Sequence, residues 1–264
     1  MSFAEINGTR LYYEVVGEGE PLILLHSGYT DSRLWDDQIA IFKNYFSVIR
    51  YDIRGFGRSD RPEEPFSHVE DLKALMEYLD LDSAHLLGVS MGGSIAIDFT
   101  LTYPEMVQSL VLSGPSLSGY APVIDEASRK RSIAGMSIVR RDGDFKHAVE
   151  FMLADPMWRQ SRSEAHRRLE SMFMDTSLKW LLNDLVSSGV SNAAERLGKI
   201  SKRALLIIGS EDSSPIQEIA SVLESGITDL KRVVISDTGH LPSLDKPEVF
   251  NQLALNFLLN KEAK

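Results

Sequence analysis

The chain has 264 residues, which suits one large domain or one domain with a sizeable insertion. Its formal net charge of -10 argues against nucleic acid or an anionic membrane as a partner, because binding to either needs a basic surface. The absence of cysteine excludes disulfides, thiolate metal sites and cysteine nucleophiles. The sequence shows no signal-peptide pattern, and no apolar run reaches the roughly 18 residues of a spanning helix. We therefore expect a cytoplasmic protein that does not cross a membrane.

Short apolar runs alternate with amphipathic patterns through the first half of the chain and again near its end. The runs are typical of strands that are buried on both faces of a parallel sheet. They lie at residues 11–16, 22–25, 48–51, 84–87, 110–112, 204–208 and 233–235. Between two of them, apolar residues recur at helical spacing over 69–79. This alternation predicts an α/β fold with a doubly wound, mostly parallel sheet.

The alternation stops between about residues 115 and 200, where no convincing strand pattern occurs and basic residues outnumber acidic ones. Since connections within sheets are usually much shorter, we predict a helical cap at 115–200, inserted into a core formed by 1–114 and 201–264. Longer crossover helices within the same sheet are the alternative. The large apolar residues of this stretch are expected mainly to form its own core; they include Met136, Met152, Met157, Trp158, Met172, Phe173, Met174 and Trp180.

Ser90 is the candidate nucleophile. It lies in the sequence Gly-Val-Ser-Met-Gly at 88–92, between a predicted strand and a predicted helix. A turn this tight needs neighbours almost without side chains, and it exposes the hydroxyl at the carboxyl end of the strand. The five-residue pattern is common by itself, so it is the strand–turn–helix context that favours a nucleophile over an ordinary turn.

His240 is the candidate base, since a serine hydroxyl attacks well only when a base takes its proton. It follows the last predicted strand, so it should lie at the same sheet edge as Ser90. The remaining histidines have other expected places. His85 falls inside a strand and should be packed, and we expect His68, His147 and His166 at the surface.

Asp212 is the candidate carboxylate that fixes the tautomer of the base. It comes just after the penultimate predicted strand, at the same edge of the sheet. Glu211 and Asp237 are its rivals. We interpret Glu211 as a solvated loop charge and Asp237 as a residue that shapes the turn before Gly239. The chain order serine, aspartate, histidine is the one that accompanies such a serine turn.

An oxyanion hole needs two backbone N–H groups that point at the developing negative charge. We assign one to Met91, directly after the nucleophile. The other is assigned to Gly28, because a glycine lets the substrate approach the backbone closely. A plain turn is the alternative for that loop. Four residues are further expected to line the substrate pocket, namely Ser27, Tyr29, Trp158 and Leu241.

With these elements the chain resembles the α/β-hydrolase superfamily, and within it bacterial capped esterases and lactonases similar to 3-oxoadipate enol-lactonase. The resemblance covers about residues 3–113 and 200–258. Its signatures are 24–26, 51–60, the turn around Ser90, 103–104 and 239–240.

The resemblance implies the roles given above to Ser90, Asp212, His240, Gly28 and Met91. It also implies that His26 supports the oxyanion loop and that 54–60 is mainly structural. The family normally has glycine directly after that histidine. Ser27 departs from this pattern, which predicts either a strained backbone at that position or a hydroxyl that contacts the substrate.

A serine nucleophile, where related dehalogenases and epoxide hydrolases have aspartate, implies acyl transfer. We therefore expect a hydrolase that cleaves a small carboxylic ester or lactone through an acyl-enzyme on Ser90. No metal and no organic cofactor is implied, and the chain should be a monomer or a homodimer. Two alternatives stay open: a carbon–carbon bond hydrolase of a vinylogous diketone, and a ligand-sensing or signalling protein on the hydrolase scaffold.

Overall fold

Eight strands form one sheet in the order β1-β2-β4-β3-β5-β6-β7-β8. The computed structural model describes residues 2–123, 145–175 and 192–261, together with residues 126, 130, 133, 134 and 137, which are helical. The strands are β1 (Ser2–Ile6), β2 (Thr9–Val16), β3 (Pro21–Leu25), β4 (Ser47–Tyr51), β5 (Ala84–Val89), β6 (Val107–Ser113), β7 (Ala204–Gly209) and β8 (Leu230–Ile235). β2 pairs antiparallel with β1 and β4, and all other neighbours pair parallel. The predicted α/β fold with a mostly parallel sheet is confirmed.

Each predicted strand is present, within a few residues of its predicted ends. The prediction missed β1. Only Ala4 of this edge strand is buried, so its sequence has no continuous apolar run. β3 and β5 are parallel, and Leu25 pairs with Gly88. The loops that leave these two strands therefore begin side by side at one edge of the sheet.

Helices cover both faces of the sheet. They are α1 (Asp36–Phe42), α2 (His68–Tyr78), α3 (Met91–Thr102), α4 (Phe145–Leu153), α5 (Ser163–Asp175), α6 (Ala193–Arg196), α7 (Ser214–Gly226), α8 (Pro242–Asp245) and α9 (Pro247–Leu258). The helix predicted at 69–79 is α2, and the Ser67 hydroxyl caps it by accepting from Glu70 N. Alternate residues of β3 enter different hydrophobic clusters: Ile23 packs with residues of α2 and α3, and Leu24 with residues of α1 and α9. The sheet is thus doubly wound, with one core on each face.

The chain between β6 and β7 is mainly helical where it is described. It contains α4, α5, α6 and two short 3₁₀ turns, Pro156–Trp158 and Leu197–Lys199. Its two ends meet, since Ala194 N–H donates to the Ser118 carbonyl at 3.1 Å. Of the apolar residues expected in the core of this region, Trp158, Met172 and Phe173 are buried, whereas Met174 is 43% exposed. Met136 and Trp180 lie outside the described residues, and the division into core and cap stays a prediction.

Candidate active site

Ser90 occupies a strained turn between β5 and α3. Its φ of 52° and ψ of −113° lie in a region that non-glycine residues rarely adopt. Backbone hydrogen bonds hold it there: Ser90 N–H donates to Ser113 O at 2.9 Å, and Ser90 O accepts from Ser94 N at 3.0 Å. A Cβ atom on Gly88 or Gly92 would collide with neighbouring backbone, which explains why the turn needs glycine on both sides. The turn leaves Ser90 half-buried.

His240 and Asp212 form a fully buried pair at the same sheet edge. His240 Nδ1 lies 3.0 and 3.1 Å from the two carboxylate oxygens of Asp212, and both side chains are 0% exposed. A carboxylate only accepts, so Nδ1 carries the proton and Nε2 of the neutral ring is the acceptor. Nε2 is buried and has no hydrogen-bond partner among the described residues. Within the described parts of the chain, the ring therefore has one nitrogen without a hydrogen-bond partner.

The two rivals of Asp212 lie elsewhere. Glu211 points outward and forms an ion pair with Arg159. Asp237 has a φ of 52° in the loop before Gly239, and its side chain is 83% exposed. Only Asp212, among these three, contacts the imidazole of His240, and Asp237 shapes the turn as predicted.

Gly114, which the sequence did not single out, connects the Ser90 turn to this pair. It follows Ser113, whose carbonyl binds Ser90 N–H, and a Cβ on it would lie 3.2 Å from His240 Nδ1 and 3.0 Å from Asp212 Oδ2. Gly114 therefore lies between the Ser90 turn on one side and the His240–Asp212 pair on the other. The available signal was weak: a glycine directly after a buried strand at this sheet edge.

The remaining histidines are accounted for by structure. His85 is buried in β5 with Nδ1 2.8 Å from Ser109 Oγ, as expected of a packed histidine. His147 and His166 are exposed, as predicted. The surface prediction for His68 is wrong.

His68 opens α2 on the side that faces the core. It is 8% exposed and packs against the Phe66 ring at 4.8 Å, and burial lowers the pKa of His68 to about 3. A helix start is compatible with either a buried or an exposed side chain, so its position in the sequence could not decide between them.

His26 braces the loop that follows β3. Ile53 N–H donates to His26 Nε2 at 2.9 Å, so Nδ1 is the protonated nitrogen and donates to Ser27 O at 2.8 Å. The ring is completely buried, and burial lowers its pKa, which keeps it neutral. His26 thus supports this loop and has both ring nitrogens engaged.

Gly28 and Met91 lie side by side. A Cβ on Gly28 would be 3.9 Å from Met91 Cβ. Met91 opens α3, so its N–H belongs to the first turn, where no intrahelical acceptor exists. The positive φ that was expected at Ser27 is found at Tyr29 of the same loop, whose φ is 65°. Ser27 Oγ is buried and has no hydrogen-bond partner among the described residues.

An aromatic cluster covers the histidine. The Trp158 ring stands edge-on to the His240 ring at 5.4 Å and packs on Phe173 at 5.1 Å. Tyr29 joins the cluster, 6.4 Å from Trp158. Leu241 is fully buried in the same hydrophobic cluster as Trp158. Tyr29 and Trp158, two of the four expected pocket residues, thus belong to the aromatic cluster beside His240.

No three His, Asp or Glu side chains cluster as a metal site within the residues that the structure describes. In the same parts of the chain, no helix has both the length and the apolar character needed to span a membrane.

Known proteins share this architecture. A family model described as the alpha/beta hydrolase fold matches residues 20–133. The chain is 28% identical over 279 residues to 2-hydroxy-6-oxo-6-phenylhexa-2,4-dienoate hydrolase of Comamonas testosteroni, a match that covers 98% of this chain and 94% of the relative.

Two solved structures are similar over almost their whole length. Est816, an N-acyl homoserine lactone degrading enzyme, has a TM-score of 0.79 and 26% identity, covering 97% of this chain and 100% of that one. A thermophilic esterase from Thermogutta terrifontis has a TM-score of 0.80 and 25% identity, covering 98% and 96%. The chain therefore has the α/β-hydrolase fold and is a hydrolase. The resemblance to esterases and lactonases is confirmed.

Proposed function

We propose that the chain is a serine hydrolase of small carboxylic esters or lactones, with Ser90, His240 and Asp212 as its catalytic triad. The observation that carries the proposal is the buried His240 ring. Its Nδ1 contacts Asp212, its Nε2 has no partner within the described residues, and Gly114 separates the ring from the strained serine turn. A histidine held in this way has one nitrogen oriented and the other ready to accept a proton.

In the proposed reaction, Ser90 Oγ attacks the carbonyl carbon while its proton passes to His240 Nε2. The carbonyl oxygen becomes an oxyanion, which the N–H groups of Gly28 and Met91 stabilise. His240 then gives the proton to the leaving alcohol oxygen as the carbon–oxygen bond breaks, and Ser90 is acylated. Water, deprotonated by His240, then attacks the acyl carbon; the bond from this carbon to Ser90 Oγ breaks, His240 returns the proton to Ser90 Oγ, and the acid leaves.

The region between β6 and β7 is proposed as the cap, with the substrate bound between it and the sheet edge. Tyr29, Trp158 and Phe173 make the wall beside His240 aromatic, which favours an apolar group on the substrate. The lactone-degrading and esterase structures support an ester or lactone as the substrate class. A small-molecule substrate, a cytoplasmic location and a monomer or homodimer remain predictions.

One second function has a specific observation in its favour. The relative from Comamonas testosteroni is, by its name, a hydrolase of an oxo-phenylhexadienoate. The same triad could serve a carbon–carbon bond hydrolase. Turnover of a yellow dienoate that exceeds turnover of aryl esters would favour it.

The test is a panel of p-nitrophenyl esters and lactones with wild type, Ser90→Ala and Ser225→Ala. Ser90→Ala should lose on the order of 10⁶-fold in kcat, whereas Ser225→Ala, a change at an exposed serine of α7, should behave as wild type. A fluorophosphonate probe should label native wild type only. Full esterase activity in Ser90→Ala would refute the assigned nucleophile. A wild type that binds such compounds without turnover would indicate the sensor alternative.

A further inference from the structure

A segment between α4 and α5, residues 155–162, lies directly on the loop that carries His240; we call it the strap. His240 N–H donates to the Met157 carbonyl at 3.3 Å, and the Trp158 ring packs edge-on against the His240 ring. A Cβ on Gly239 would lie 3.2 Å from Met157 O and 3.4 Å from Arg159 O. The close approach of strap and loop thus depends on the missing side chain of Gly239.

The first half of the strap is a rigid turn. The Asp155 carboxylate accepts from Met157 N at 2.9 Å, and Trp158 N–H donates to Asp155 O at 3.0 Å. These bonds close the 3₁₀ turn Pro156–Trp158 and so fix the backbone that carries the Met157 carbonyl. Arg159, the next residue, pairs with Glu211 beside Asp212.

Asp245 fastens the second half of the strap. Its Oδ1 accepts from Ser161 N at 2.7 Å, from Ser161 Oγ at 2.6 Å and from Arg162 N at 3.4 Å. Arg162 also donates to the Leu244 carbonyl at 3.4 Å. Asp245 is only 3% exposed, and a buried carboxylate of this kind persists because donors surround it.

Asp245 closes the short segment that begins at His240. Its own N–H donates to Leu241 O at 3.1 Å, so the carboxylate and the imidazole belong to one small rigid unit. The strap contacts both ends of this unit: Met157 and Trp158 contact His240, and Ser161 and Arg162 donate to Asp245. Asp212 holds the Nδ1 edge of the ring, while the strap accepts from the backbone N–H of His240 and packs Trp158 against the ring.

We propose that Asp245 is a positioning residue for His240: it holds the strap, and the strap fixes the backbone of the base and shields its ring from water. The proposal rests on the proposed function, in which His240 is the base. Asp245 touches no reacting atom, so its loss should lower kcat and leave KM nearly unchanged.

The experiment compares Asp245→Ala, Asp245→Asn and Ser161→Ala with the control Glu248→Ala, which removes an exposed carboxylate at the start of α9. Asp245→Ala should lower kcat on p-nitrophenyl esters on the order of 100-fold. Asp245→Asn, which keeps an acceptor oxygen, should lie between Asp245→Ala and wild type. Glu248→Ala should equal wild type.

Hydrogen exchange at the imidazole C2 position of His240, read by mass spectrometry, is the second readout and needs no substrate. It should be slow in wild type and faster in Asp245→Ala. A folded Asp245→Ala with wild-type kcat and wild-type exchange would overturn the proposal, while the loss of activity in Ser90→Ala would still support the triad.

Two further outcomes are also decisive. If wild type hydrolyses no ester or lactone, the proposed function fails and the exchange rate alone decides whether Asp245 holds the strap on His240. If Asp245→Ala does not fold, Ser161→Ala takes its place, because it removes only the 2.6 Å hydroxyl donor. It should then show a smaller fall in kcat and faster exchange, and wild-type values for both would overturn the proposal.

Discussion

Two separate features of the structure require a glycine at position 114. Its φ is 47°, where an L side chain is strained. A Cβ would also lie 3.0 Å from Asp212 Oδ2 and 3.2 Å from His240 Cε1. Any side chain there must displace the imidazole or the carboxylate. This contact makes Gly114 a sensitive probe of the geometry proposed for the base.

We expect Gly114→Ala to lower kcat on p-nitrophenyl esters on the order of 100-fold, because a shift of about 1 Å in a catalytic group has an effect of that size. Gly8→Ala is the matched control: its φ is 68°, and nothing lies within 4 Å of its Cβ. Both variants should lose about 1–2 kcal/mol of unfolding free energy from backbone strain, measured in urea. Similar activities in the two variants would speak against a functional contact at Gly114.

The sequence predicted the three proposed triad residues because each follows a strand of a parallel sheet, and the carboxyl ends of such strands share one edge. It could not predict the contacts of Gly114, which depend on how two separate loops approach one another. The error at His68 has the same origin, since a residue at a helix start faces the core or the solvent according to the packing of the whole helix.

The loop after β4 is fastened to α2 by a buried ion pair. Arg54 Nε and Nη2 each donate to a carboxylate oxygen of Asp71 at 2.7 Å, and the two residues are 8% and 3% exposed. Burial raises the pKa of Asp71 in spite of the Arg54 charge. The loss of water thus outweighs the pairing here, and such a pair becomes costly when one partner is removed.

Asp71→Asn should therefore lower the unfolding free energy by about 3–5 kcal/mol, because it leaves the buried Arg54 guanidinium without a counter-ion. Urea denaturation at neutral pH measures the loss. Asp60→Asn breaks the Arg10–Asp60 pair of the same loop, where the two side chains are 55% and 37% exposed, and should cost far less. Equal losses in the two variants would show that burial does not set the cost.

Elements buried on both faces were predictable, because their apolar runs are continuous. β1 has only Ala4 buried, so no pattern marked it. The order of the strands could not be predicted from the sequence either. β4 lies between β2 and β3 in the sheet, and the hydrophobic pattern alone does not specify which strands become neighbours.

Asp98 links the protonation of one carboxyl to the stability of the whole molecule. It lies on α3, is 4% exposed, and accepts from Ser118 Oγ at 2.7 Å through Oδ2, while Oδ1 has no hydrogen-bond partner among the described residues. Burial raises the pKa of Asp98 to about 6. In the unfolded chain it is about 3.9. The folded state therefore binds more protons between these values, and the unfolding free energy falls as the pH rises from about 4 to 7.

Asp98→Asn removes this titration and should make the protein more stable than wild type at pH 8, with a smaller advantage at pH 4.5. Urea denaturation at both pH values measures the difference. Asp82→Asn, a change at an exposed carboxylate, should keep the pH dependence of wild type. An advantage of the same size at both pH values for Asp98→Asn would contradict this explanation.

The hydrogen bond between Ser118 and Ala194 affects which changes of sequence and length the region between β6 and β7 can tolerate. Because the chain leaves the sheet and returns to it at nearly one point, the polypeptide between these residues can change length or be replaced without moving β6 or β7. The strap limits that freedom, since any replacement must again supply a carbonyl to His240 and donors to Asp245. If the strap positions His240 as proposed, a chimera that replaces the segment between Ser118 and Ala194 would need to retain residues 155–162.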